Sequence, residues 1–174
     1  PDHANHPTVL DAGSAGRGIV ISGTVGSVRL ERLVLQNGAA PDAGGNLYNA
    51  GADLQLDALS LQSGSAPLGA GLYSTGGNLT MTNSLIHQNV DYSLNAQGAG
   101  LYLNDGNVLV LNNTFYDNYA GEDGVAVYQA AGTLDLINNL IVYNVSPNAL
   151  ASMTAAHAAV HMDGGTYEGH HNVW

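Results

Sequence analysis

Hydrophobic and polar residues alternate along this chain in short bursts that recur. Val28-Arg29-Leu30-Glu31 is apolar at its first and third positions, and Leu54/Leu56, Leu79/Met81, Val108/Val110 and Leu134/Leu136 repeat the pattern. A period of two predicts a strand with one apolar face. Seven residues after each start stands another apolar residue: Leu35, Leu61, Ile86, Phe115 and Ile141, with Trp174 in a looser last copy. This predicts a second short strand. Leu47-Tyr48, Leu72-Tyr73, Leu101-Tyr102 and Val127-Tyr128 predict a third. Gly or Asn closes each unit, at Gly38, Gly64, Asn89, Asn118 and Asn144. Both residues tolerate positive φ at a sharp corner.

Successive starts differ by 26, 25, 29 and 26 residues. The last copy begins near Tyr167, 33 residues on, and a half copy, Thr8-Val9-Leu10, precedes the first. No such unit buries its apolar face alone, whereas stacked units share one core. The expectation is an all-β fold: a single-stranded, right-handed parallel β-helix of about six coils, forming one domain over 1–174. The Ala-rich stretch 145–160 breaks the repeat and reads as a short helix or loop inserted at a corner. The half coil at the start and the strand-like Asn172-Val173-Trp174 at the close suggest flanking coils or copies stacked end to end. Asn83, Asn112/Asn113, Asn138/Asn139 and Asn172 suit a hydrogen-bonded ladder. The Tyr48, Tyr73, Tyr102, Tyr128 column reads first as a structural stack and alternatively as a carbohydrate-binding surface.

Gly69-Ala-Gly-Leu-Tyr-Ser-Thr-Gly-Gly-Asn-Leu-Thr-Met-Thr-Asn-Ser-Leu-Ile-His-Gln-Asn89 and its companion units resemble coils of bacterial secreted right-handed β-helix repeat proteins. These include polymorphic outer-membrane-protein-like and adhesin-type passengers. The resemblance spans about Val9 to Trp174 and implies an extracellular or cell-surface protein. Adhesins, autotransporter passengers and carbohydrate-active enzymes share such coils, so it fixes no activity and carries no catalytic signature onto a residue here.

Charge narrows the partners. The net charge is −11, and Arg17, Arg29 and Arg32 are the only cations apart from histidine. Such a chain repels phosphate, so nucleic acid is not an expected partner, and anionic lipid is disfavoured for the same reason. No apolar run reaches the length needed to cross a bilayer as a helix. Cys is absent, which excludes disulfides and thiolate chemistry. An acidic, Lys-free, Asn- and Gly-rich chain fits an exported bacterial protein.

Candidate chemistry lies on the outward columns. Glu31 and Asp57 are expected on adjacent rungs, about 5 Å apart, with Arg29 beside them. That spacing suits a retaining glycosidase, a Ca²⁺ site or a solvated ion pair. Asp117 is a third candidate carboxylate. Leu109, Leu111 and Ile137 are expected to form an outward apolar patch, and with Val173 and Trp174 they are candidate interface residues. His157 and His161, four apart, would share one face of a helix, a spacing compatible with a metal. No cofactor is required by these motifs; Ca²⁺ is the alternative. The leading reading is an extracellular, non-enzymatic structural or adhesion module, self-associating into a fibre. The alternatives are a glycosidase or polysaccharide lyase, and a carbohydrate- or Ca²⁺-binding module.

Overall fold

The structure, a computed structural model, describes residues 7–23, 26–146 and 159–174. Eighteen strands, numbered in chain order among the described residues, form three parallel sheets of six. Sheet A holds β1 (Thr8–Asp11), β4 (Leu33–Gln36), β7 (Ser60–Gln62), β10 (Leu85–His87), β13 (Thr114–Tyr116) and β16 (Leu140–Val142). Sheet B holds β2 (Ile19–Ile21), β5 (Leu47–Asn49), β8 (Leu72–Ser74), β11 (Leu101–Leu103), β14 (Val127–Gln129) and β17 (Val160–Met162). Sheet C holds β3 (Ser27–Glu31), β6 (Asp53–Asp57), β9 (Asn78–Thr82), β12 (Asn107–Leu111), β15 (Thr133–Ile137) and β18 (Thr166–His170). The chain visits the sheets in turn, so it winds as a parallel β-solenoid. With six strands per sheet, about five turns separate the first rung from the last, slightly fewer than the six coils expected.

Register follows the repeat. Leu54, Leu79, Val108, Leu134 and Tyr167 are partners on successive rungs of sheet C, as are Leu61, Ile86, Phe115 and Ile141 on sheet A. Leu35, Leu61, Ile86, Phe115, Leu101 and Leu134 are wholly buried in one continuous core. Burying each such side chain contributes about 1.5–3 kcal/mol. The last coil is looser. Gly169 stands where Leu136 stands one rung earlier, and all of β18 is exposed.

The corners correct one expectation. Left-handed backbone falls one residue before the closing Gly or Asn: at Asn37, Ser63, Gln88, Asp117 and Tyr143, with φ of 52° to 56°. The closing asparagines point inward instead. Asn89, Asn118 and Asn144 stack, each accepting from the backbone N–H and side-chain amide of the residue below or donating to the one above. An inward side chain leaves the turn to its neighbour. The corner between sheets C and A repeats the scheme. Ala58, Asn83, Asn112 and Asn138 are left-handed, while Asn113, Asn139 and Asn172 form a second inner ladder with Ser84.

Glycine is required where sheet B passes into sheet C. A Cβ on Gly106 (φ 110°) would stand 2.3 Å from the Gly77 carbonyl oxygen, and one on Gly132 (φ 88°) 2.2 Å from that of Gly106. Residues 147–158 of the Ala-rich insertion lie outside the described residues, including His157 and most of the expected helix. Its end is corrected: Val160–Met162 is strand β17, paired with β14, so His161 lies on a sheet.

Candidate functional site

Glu31 and Asp57 are partners across β3 and β6, as the register requires. Each carboxylate is already engaged. Arg29 donates from Nε to Glu31 at 2.8 Å and closes an ion pair at 2.7 Å. Asp57 accepts from Thr82 Oγ1 at 2.6 Å and from Asn83 Nδ2 at 2.8 Å. The Thr82 hydroxyl and then the Asn83 amide hold the Asp57 carboxyl below its ordinary range. Stabilising the charged form suits a fixed anion rather than a proton donor. Asp117 lies elsewhere, exposed at the left-handed corner after β13. The three nominated carboxylates are therefore not gathered into one site. Among the described residues, no group of three or more His, Asp or Glu side chains is placed to hold a metal ion.

The tyrosine column stands on the outer face of sheet B. Tyr48, Tyr73, Tyr102 and Tyr128 stack at 5.3, 5.3 and 4.9 Å between ring centres, within 16° of parallel. His161 continues the stack at 5.1 Å from Tyr128, and the Arg17 guanidinium closes the other end 4.9 Å from the centre of the Tyr48 ring. Arg17 is itself paired with Asp42. Neighbouring rings occupy both faces, so a sugar reaches only phenol edges here. Burial pushes up the Tyr73 and Tyr102 hydroxyls. It pushes that of Tyr128 up to about 12, aided by the Asp163 carboxylate.

Leu109, Leu111 and Ile137 point outward from sheet C and are half-buried. Leu111 and Ile137 are direct partners. Val173 and Trp174 are 59% and 47% exposed on the last rung.

The outer wall of sheet A gathers more chemistry than any nominated set. A polar chain runs up its first four rungs. Gln36 Nε2 donates to Asp11 Oδ2 at 2.7 Å, and Gln62 Nε2 donates to Gln36 Oε1 at 2.7 Å. Ser60 Oγ lies 3.4 Å from Gln62 Oε1 and 3.3 Å from His87 Nε2. Partial burial pushes the His87 imidazole below its ordinary pKa, against smaller upward pulls from Gln88 and the Asp117 carboxylate. Beside this chain, at the corner with sheet C, an open depression of about 640 Å³ is lined by Arg32, Ser60, Asn83, Leu85, Asn112 and Thr114 among others. Arg32 takes part in none of the ion pairs among the described residues.

The other edge of the wall carries tyrosines that are not laddered. Tyr116, partner of His87, meets Tyr143 edge to face at 5.9 Å. Tyr92 tilts over Tyr119 at 4.9 Å. Tyr92 and Tyr143 are 77% and 75% exposed. Sequence reasoning missed this wall. The outward columns named from the sequence lie on the first strand of the unit, whereas Ser60 and His87 hold the seventh and ninth positions. Applying the same alternation to the second strand would have found both.

A family model described as "Right handed beta helix region" matches residues 13–167. No curated protein and no solved structure matches the chain.

Proposed function

The chain belongs to the right-handed β-helix family, and we propose that it is an extracellular adhesion-type module that holds neutral carbohydrate on the outer wall of sheet A. The observation that carries this reading is the pair of exposed, unladdered rings Tyr116 and Tyr143, which stand on the same wall as a depression rich in hydroxyl and amide groups, at its opposite edge. Tyrosine offers an apolar ring and a polar tip together, which suits a sugar's CH faces and hydroxyls. Asn83, Asn112, Ser60 and Thr114 supply donors and acceptors within one shallow, open volume. The net charge of −11 favours neutral over acidic glycans. The engaged states of Glu31 and Asp57 support binding over glycosidic cleavage at those residues. Self-association, through the sheet C patch or the last rung, is the proposed means of display.

Titration calorimetry against neutral oligosaccharides tests the reading. Tyr143→Ala and Tyr116→Ala are each expected to weaken binding about tenfold, the equivalent of ~1.4 kcal/mol. Arg29→Ala, on another wall, should leave binding unchanged. Unaltered affinity in both tyrosine variants, or no heat with any neutral glycan, would sink it.

A further inference from the structure

Ser60 and His87 occupy adjacent rungs of sheet A and meet diagonally, with Oγ and Nε2 3.3 Å apart. Both are half-buried, and Ser60 lines the open depression of about 640 Å³ at the corner with sheet C. Two residues on different strands are held together by the ladder itself, since β7 and β10 pair in register along all three residues. We infer that Ser60 and His87 form a nucleophile–base pair that accepts an acyl group from a carboxylic ester bound in this depression.

The chemistry follows from the geometry. His87 Nε2 takes the proton of the Ser60 hydroxyl as Oγ bonds to the ester carbonyl carbon. The tetrahedral oxyanion forms in a depression that Arg32 and Asn112 also line, a cation and an amide on the side where negative charge develops. The Asn112 carbonyl oxygen is engaged by Asn138 Nδ2 at 2.6 Å, which fixes the orientation of the amide. Collapse breaks the bond to the alcohol oxygen, which takes the proton back from His87 and leaves as the alcohol. Ser60 is left as its ester. Water, deprotonated by His87, then attacks the acyl carbon and releases the carboxylic acid, and the proton returns to Ser60. No oxidant, reductant or metal enters this balance.

Two features set the pair's strength. The downward shift of His87 keeps its imidazole neutral at pH 7, the form a base requires. The Ser60 proton also has a second acceptor, Gln62 Oε1, but at 3.4 Å this is a weak bond. The inference goes beyond the glycan reading and stands without it, because a simple aryl ester probes the pair directly.

The test exposes the full chain to p-nitrophenyl acetate, with nitrophenolate release followed by absorbance and the acetyl group located by peptide mass spectrometry. Acetylation is expected at Ser60, faster than at the exposed Ser27 on sheet C. The rate should rise with pH and level off below the ordinary histidine range. His87→Gln should slow it about 100-fold, and Ser60→Ala should abolish it at this site. Acetylation of Ser60 no faster than of Ser27, or an unchanged rate in His87→Gln, would overturn the inference. Mapping the acetyl group on the unaltered chain needs no variant to fold. Loss of glycan binding in the tyrosine variants is read separately, so each proposal fails on its own measurement.

Discussion

At the scale of single residues, two kinds of asparagine that look alike in the sequence do different work. Asn118 is 1% exposed, accepts from the Asn89 backbone and side chain, and donates to the Ile86 carbonyl and to Asn144. Asn107, one residue of an outer column, is exposed, and its side chain donates to Asn78 and accepts from the Thr133 hydroxyl, both at the surface. Cutting Asn118 to Ala strands a buried backbone N–H and a carbonyl oxygen, each costing about 1–3 kcal/mol. Asn118→Ala is therefore expected to lower unfolding stability by at least ~2 kcal/mol, while Asn107→Ala stays within about 0.5 kcal/mol. Urea unfolding followed by circular dichroism distinguishes them, and equal losses would show that the inner ladder is not the stabilising element. The distinction was only half legible. The spacing of Asn112/Asn113 and Asn138/Asn139 announces a corner. It does not say which member of each doublet turns inward, because that depends on which residue takes the left-handed conformation.

At the scale of the element, the sheet B ladder couples six planar groups from Arg17 to His161. Burial makes its phenols reluctant acids. The folded-state pKa of Tyr128, about 12, lies above its ordinary value of 10.0, so folding favours the neutral ring. That contribution is complete below pH 10 and is lost as pH rises from 10 to about 12. Tyrosinate absorbance on alkaline titration should therefore show Tyr73, Tyr102 and Tyr128 lagging behind the ordinary tyrosine range. The fold should weaken over the same window. A single sharp transition of all nine tyrosines near pH 10 would contradict the stack. Four rungs of this column were legible from the recurring pair of an aliphatic residue and Tyr, Leu-Tyr three times and Val127-Tyr128 once. His161 was not, because the Ala-rich insertion displaces it from the repeat and the composition of that stretch reads as a short helix or loop. The sheet pairing Tyr128 to His161 overrides that local pattern.

At the scale of the whole molecule, any association of copies works against charge. Two chains at −11 repel, and added salt screens that repulsion. Two apolar features can offset it. Leu111 and Ile137 pair on the sheet C wall, which favours side-by-side contact. Tyr167 and Trp174, 42% and 47% exposed, lie on the last rung, where stacking of a further coil would cover them. These modes make different predictions. If the wall carries association, Leu111→Asp should abolish concentration-dependent growth in sedimentation velocity, and Trp174→Asp should not. If the last rung carries it, the result reverses, and electron micrographs should show rods that lengthen with concentration. In both modes association should strengthen with salt, because the attraction is apolar and the opposition is Coulombic. A strict monomer at high protein concentration and high salt would remove self-association from the proposed function and leave the module to act singly through its sheet A wall.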